Sequence, residues 1–363
     1  MTNGEIMPKV KNWQLDLTEY IREGEPDRVA KSVAWQTAIG LQDVDGLTTS
    51  DYLLSTAKEH IEGHINMTMV KERIETYYEE NKEHRKDTST HEADTVSARI
   101  TELLNEKSFT FSPVELQNIH KRLFTGVFSH AGKWRTYNIT KKEWVLKGNT
   151  VLYGSAASIY DTLVFDFSEE KKFEYNGLSV PEAVKHIAKF TAGIWQIHPF
   201  AEGNTRTVAV FLIKYLENFG FKVNNDVFAA NAWYFRNALV RANYNDLQNK
   251  ISATPLFLEL FFENLLAGAK HELKNRYMHL DFQSVKSDVS KCKICTLNCT
   301  LEELAVIQCI KNDPKITQKK IAINIGKSER TVKNIMSALQ EKGYLERKNG
   351  KRNGYWEIGK NNA

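Results

Sequence analysis

The chain has 363 residues, of which 42% are hydrophobic, 11% aromatic and 26% charged, with a net charge of +4. This excludes a wholly disordered chain, a collagen and a membrane bundle, and length alone gives a prior of roughly two to three domains. No run approaches the ~18 consecutive apolar residues of a spanning helix, and MTNGEIMPKVKNWQLDL lacks a secretory core. Four cysteines are too few for a disulfide scaffold, so a reducing cytoplasm and no membrane partner are expected. The charge is uneven: Leu301–Ala363 carries 13 Lys and Arg against 7 Asp and Glu. A basic end on a near-neutral body fits a module that meets an anion, nucleic acid first.

Residues 1–50 show no strong period, although Trp13, Leu15, Leu17, Trp35 and Leu41 are available for packing. Ser50 then caps a predicted helix with Leu53, Leu54, Ala57, Ile61 and Ile65 at helical spacing. A second helix follows Met67. EENKEHRKDTSTHEAD has no apolar anchor and reads as a solvated linker and first boundary. A third helix begins at Ala93. Ser112-Pro113 opens a fourth, carrying Leu116, Ile119, Leu123 and Phe124. Between Gly132 and Gly154 the residues turn β-branched and aromatic around Gly148-Asn149, which predicts a hairpin near 143–154. Helices are predicted again over 155–165, 181–197, 207–219, 231–248 and 255–277. The stretch 207–219 is apolar nearly all round, as in a buried central helix. Residues 280–299 read as a polar connector.

The stretch HPFAEGNTR, residues 198–206, joins two of these helices and concentrates chemistry. Gly203, Asn204 and Thr205 stand where a helix begins, so free amides and the helix dipole make an anion seat there. Arg206 can fork onto a phosphate, and Glu202 can hold a hard divalent cation. His198 can take a proton from a hydroxyl that attacks the bound phosphate. Phe200 can anchor the loop. Base, carboxylate, amides and arginine within nine residues fit phosphoryl or nucleotidyl transfer.

HPFAEGNTR resembles the signature of the Fic (Fic/Doc) family. HEADTVSARI, GKWRTYNITKKEW and RNALVRANYNDL extend the likeness over about residues 93–275. The resemblance implies a mainly α fold: a Fic-type helical core with a β-hairpin flap. It implies an adenylyltransferase moving AMP from ATP, with Mg²⁺, to a Tyr, Thr or Ser hydroxyl of a protein target, the chain itself included. His198 would then be the base and Glu202 the Mg²⁺ ligand. Gly203, Asn204, Thr205 and Arg206 would hold phosphate, Phe200 would fix the loop, and Asn243 would line the adenosine pocket. Thr150, Val151, Leu152 and Tyr153 would dock the target by β-augmentation.

Two positions depart from the family pattern: Thr205 replaces a glycine, and Ala209 replaces a second arginine that orients the γ-phosphate. The family also uses an inhibitory helix with Ser or Thr, three residues, then Glu and Gly or Asn. AKEHIEGHI offers Glu62-Gly63, with Lys58 in place of the Ser or Thr. Glu62 is accordingly a candidate brake over the phosphate seat, pairing with Arg206 for want of the second arginine.

From Thr300 the order helix, helix, turn, helix, hairpin resembles a winged helix-turn-helix. Arg330, Thr331, Lys333 and Asn334 would face a DNA groove, and Arg347, Lys348, Lys351 and Arg352 in the wing would meet phosphates. Protein docking or dimerisation is the alternative use of such a module. Cys292, Cys295, Cys299 and Cys309 read as free thiols rather than a zinc site. The expected organisation is an N-terminal helical region over 1–90, a catalytic domain over 91–280, a linker over 281–299 and the winged helix over 300–363. Expected partners are ATP, a protein target, DNA and a second copy of the chain. The alternative to an enzyme is a DNA-binding regulator whose Fic core senses nucleotide.

Overall fold

The computed structural model describes residues 12–80, 87–175, 177–218, 226–282, 299–350 and 354–359. Its described residues are mainly helical, with one two-stranded antiparallel sheet. None of these helices is long and apolar enough to cross a membrane. The expected mainly α fold holds.

Two helices precede the first one predicted: α1 (Asn12–Glu23) and α2 (Pro26–Gly40), followed by a 3₁₀ turn, Leu41–Asp45. Then α3 (Asp51–Glu62) starts at Ser50, whose hydroxyl accepts from the Leu53 amide, and α4 (Met67–Glu80) packs against it. Leu17, Trp35, Ile39, Leu53, Ala57, Ile61, Val70 and Ile74 close a core of their own.

That unit is welded to the rest. α5 (Thr88–Asn105) is capped by Asp87, inside the stretch expected to be a linker, and it packs along α2. Gly40 ends α2 where a Cβ would lie 2.5 Å from the Ala229 backbone, so only glycine permits this crossing with α10 (Asp226–Ala242).

The central element is α9 (Asn204–Glu217), buried from Asn204 through Leu216. Around it stand α6 (Pro113–Phe124), α8 (Val180–Ile197) and α5. Each large apolar side chain so enclosed contributes roughly 1.5–3 kcal/mol. Lys214 is buried as well, and its ammonium donates to Leu103 O and Glu106 O at 2.9 and 2.6 Å. The C-terminal carbonyls of α5 thus find their donor. The remaining helices of this layer are α7 (Ile159–Lys172) and α11 (Leu256–Ala267).

The C-terminal module comprises α12 (Leu301–Asn312), α13 (Gln318–Ile325) and α14 (Glu329–Glu341), with β1 (Leu345–Lys348) paired to β2 (Tyr355–Ile358). Thr317 and Ser328 cap α13 and α14, and Asn349 and Gly350, the first residues after β1, both take positive φ. The Val180 amide donates to Cys299 O at 2.9 Å, and Gln308 donates to Leu266 O at 3.2 Å, tying the module to α8 and α11.

The predicted hairpin over 143–154 is not a ladder. Trp144–Leu146 coils into a 3₁₀ turn, and Lys147 and Gly148 both take positive φ. The Glu143 amide donates to Asn149 O at 2.9 Å and the Gly148 amide to Glu143 O at 3.0 Å, which closes the loop. Residues 150–154 run on without a strand partner, Val151 and Tyr153 buried and Leu152 84% exposed between them.

Candidate active site

α8 ends in a residue with an unusual backbone. His198 sits at φ 50°, ψ 60°, a left-handed conformation that costs a non-glycine residue about 1–3 kcal/mol. Arg135 holds it there. Its guanidinium donates to His198 O at 2.7 Å, Ile197 O at 3.1 Å and Tyr137 O at 2.7 Å, and also to Gly154 O. The Arg135 amide donates to Pro199 O at 2.9 Å. One buried cation therefore neutralises the C-terminal end of α8 and fastens the flap to the loop after it.

The loop closes on itself. The Phe200 amide donates to Asn204 Oδ1 at 2.9 Å, and Asn204 Nδ2 donates to Phe200 O at 2.7 Å. The Phe200 ring stacks on His120 at 3.7 Å and on Trp134 at 4.9 Å. His120 Nδ1 accepts from the Gly132 amide, so its proton lies on Nε2, which donates to Glu202 O at 3.0 Å. Burial keeps His120 neutral, its pKa lowered to about 4. Gly203 then turns at φ 77°, where a Cβ would meet the Phe124 ring at 2.4 Å. The helix begins at the next residue, and the amides of Asn204, Thr205 and Arg206 have no carbonyl within the helix to bond, whereas the Thr207 amide donates to Gly203 O at 3.0 Å. Trp195 Nε1 donates to Thr205 Oγ1 at 3.0 Å. The left-handed residues of this loop are His198 and Gly203, so threonine at 205 meets no backbone strain.

His198 Nδ1 lies 3.2 Å from Trp195 O, a group that can only accept, so Nδ1 carries the proton. Nε2 is buried and makes no hydrogen bond among the described residues. Burial, then the nearby Lys141 charge, pushes the imidazole well below its ordinary pKa. The ring is neutral with a bare lone pair, set 4.4 Å from the Tyr153 ring centroid. Tyr153 in turn donates to the buried Glu143, which pairs with Arg236 at 2.7 Å. Glu202 turns outward, its side chain 54% exposed and its carboxylate 2.8 Å from Lys141 Nζ.

Arg206 is placed otherwise than its motif position suggests. Its side chain is only 2% exposed. It donates to Gln42 Oε1 at 3.0 Å and to Glu92 Oε1 at 2.6 Å. Its Nε lies 2.8 Å from Asp45 Oδ2, an ionic contact too bent for a hydrogen bond. The guanidinium also covers the Phe124 ring at 4.9 Å. Glu62 is not at this place: its carboxylate accepts from Tyr20 at 2.5 Å and lies 3.4 Å from His64. The expected Glu62–Arg206 pairing is therefore replaced by Asp45, Gln42 and Glu92. Asn243 spends its amide nitrogen on Ala192 O and Leu239 O, each at 3.0 Å.

Residues 110–216 match the Fic/DOC family model. This stretch is a Fic domain. It holds His198 through Arg206, with His120, Arg135 and the flap around them. Residues 303–346 match a winged helix-turn-helix DNA-binding model, so the chain joins a Fic domain to a winged helix. The protein adenylyltransferase VbhT of Bartonella schoenbuchensis is 27% identical over 111 residues, covering 31% of this chain and 22% of that protein. The chain's match thus spans about a fifth of that relative's length. A crystal structure of a Fic family protein from Desulfovibrio desulfuricans G20 covers 97% of both chains at 13% identity, with a TM-score of 0.43.

The structure brings together His198, Phe200, Glu202, Gly203, Asn204 and Thr205. Arg330, Lys333 and Asn334 lie exposed along α14, with Thr331 partly covered beside them. Lys351 and Arg352 lie outside the described residues, as do Cys292 and Cys295. Cys299 is buried and Cys309 partly buried, and no group of three or more metal-ligating side chains forms among the described residues. Sequence reasoning missed Arg135, His120, Lys141, Asp45 and Glu92. Only Lys141 had a signal, as a cation within the flap segment ITKKEW.

Proposed function

We propose that this chain is a protein adenylyltransferase, moving AMP from ATP to a Tyr, Thr or Ser hydroxyl of a protein. The observation that carries this reading is His198 Nε2, a buried lone pair of fixed tautomer on the loop that ends in the open amides at the start of α9. A hydroxyl lying between them gives its proton to Nε2, its oxygen bonds to the α-phosphorus, and the bond to the bridging oxygen breaks to release diphosphate. The sequence match to a protein adenylyltransferase supports the same reaction.

The donor set fits Mg²⁺. Glu202 offers one outward carboxylate beside the phosphate seat, and such a cation commonly takes one or two carboxylates with phosphate oxygens and water. When bound, it would neutralise charge building on the phosphates. The amides of Gly203, Asn204 and Thr205 would hold phosphate oxygens, and Asn243 would present its Oδ1 to the adenosine. The segment 150–153, which has no strand partner among the described residues and carries Leu152 outward, would receive the target as an added strand. The winged helix would bring the enzyme to DNA through Arg330, Thr331, Lys333 and Asn334.

The test is transfer from ATP labelled at the α-phosphate, with Mg²⁺, read on protein by intact mass. His198→Ala should lose about 10²–10⁴-fold in rate while keeping its ATP affinity by calorimetry. Because the imidazole stays neutral far below its ordinary value near 6.5, the wild-type rate should not fall as pH drops from 7 to 6. Equal labelling by wild type and variant would remove His198 as the base, and no label on protein with either would refute the reading and favour a nucleotide sensor joined to a DNA-binding module.

A further inference from the structure

A nucleotide polyphosphate carries more charge than amides alone hold, and the two motif positions that would supply cations do not present them. Position 209 is alanine, buried in α9. Arg206 faces Asp45 and Glu92, two carboxylates to one guanidinium, and is shut from solvent. Lys141 in the flap is the cation seen in contact with a side chain of the loop. Its Nζ is 2.8 Å from Glu202 Oε2, and its side chain is 26% exposed. Glu202 is itself fixed next to Gly203, because His120 holds its carbonyl.

We infer that Lys141 binds the phosphates beyond the α-phosphorus, in the place of the arginine absent at 209; this rests on the reading of the site as an ATP site. The geometry supplies both halves of that role. The Lys141 amide donates to Thr150 Oγ1 at 3.1 Å, which fixes the backbone of the flap at this point. The buried Glu143–Arg236 pair anchors the flap two residues on. The ammonium rides above this anchor on a flexible four-carbon stem with three donors. Its partner Glu202 is half exposed, and ion pairs of that kind add little stability, so exchanging a carboxylate oxygen for a phosphate oxygen costs little. The exchange would also free Glu202 for a cation, because a polyphosphate that draws Lys141 off leaves the carboxylate open. The same ammonium lowers the His198 imidazole, so its charge acts on the base as well as on the carboxylate.

AMP ends at the α-phosphate, and ADP and ATP extend past it, so the inference is read by comparing them. Calorimetry would measure AMP, ADP and ATP, with Mg²⁺, against wild type, Lys141→Met and Lys141→Arg. Methionine keeps the apolar stem and removes the charge. Lys141→Met should weaken ADP and ATP by about tenfold or more and leave AMP nearly unchanged. Lys141→Arg should recover most of the loss. Unchanged ADP and ATP affinity in Lys141→Met, or an equal loss for AMP, would overturn the role of Lys141 while leaving the ATP site standing. A wild type that binds none of the three would overturn the ATP site itself, and the role of Lys141 with it.

Discussion

A guanidinium touching two carboxylates, an amide and an aromatic ring is an anchor whatever else it does. Arg206 joins α9 to the turn after α2 and to α5. Removing it leaves Asp45 and Glu92 facing a site built for a cation. Breaking a fully buried pair costs about 3–5 kcal/mol, and Asp45 at 33% and Glu92 at 19% exposure put this case lower. Arg206→Ala should therefore destabilise the fold by about 2–3 kcal/mol, read from urea midpoints, and Arg206→Lys should recover only part. A shift under about 0.5 kcal/mol, the range of ordinary surface changes, would show the cluster to be incidental. At this scale the sequence was informative about chemistry and silent about partners. His198, Glu202 and Gly203 announce themselves by type and spacing. Nothing in a one-dimensional pattern pairs residue 206 with 42, 45 and 92, because those contacts form only when α2 folds across the domain.

Between α8 and α9 the chain turns through a loop with little slack. Gly203 combines positive φ with a missing Cβ against Phe124. Gly203→Ala should cost about 1–3 kcal/mol and lower transfer activity with it. Adding Phe124→Leu should return only the steric part, because the backbone strain remains. Full recovery in the double variant would show the strain to be negligible. Helices with visible caps were legible in the sequence, among them those starting at Ser50, Ser112, Thr317 and Ser328. α2 was not, for a physical reason: Ala34 through Gly40 are all buried, so no polar face sets up a period. The start of α5 was hidden by the opposite cause. Thr88–Glu92 carries almost no apolar side chain, because part of that turn faces solvent and Glu92 faces Arg206. The flap misled because Val151-Leu152-Tyr153 alternates like a strand, and alternation reports burial rather than pairing.

Over the whole molecule, burial of neutral imidazoles sets a cost at low pH. His60 and His120 are both held down to about 4 by burial, and His198 is lowered as well. Their ordinary value is near 6.5, so below that pH the unfolded chain takes up protons that the native chain refuses. Stability is complete above the ordinary value and is lost as pH falls toward the native ones. Between pH 7 and 5 the loss should be roughly 1–2 kcal/mol for each of His60 and His120. Unfolding followed at pH 5.5 in buffers of different ionisation enthalpy should report proton uptake, and none would mean that the rings titrate freely in the native state.

α8 gives the molecule a lever. It is an 18-residue rod, about 27 Å long at 1.5 Å per residue. One end is bonded to the winged-helix module through the Val180 amide and Cys299 O, and His198 follows directly on the other. A rotation of about 5° about the Val180 end sweeps the far end of such a rod through about 2 Å, more than the tolerance of an in-line attack. A ligand on the winged helix that tilted the Val180 end of α8 would therefore be felt at His198.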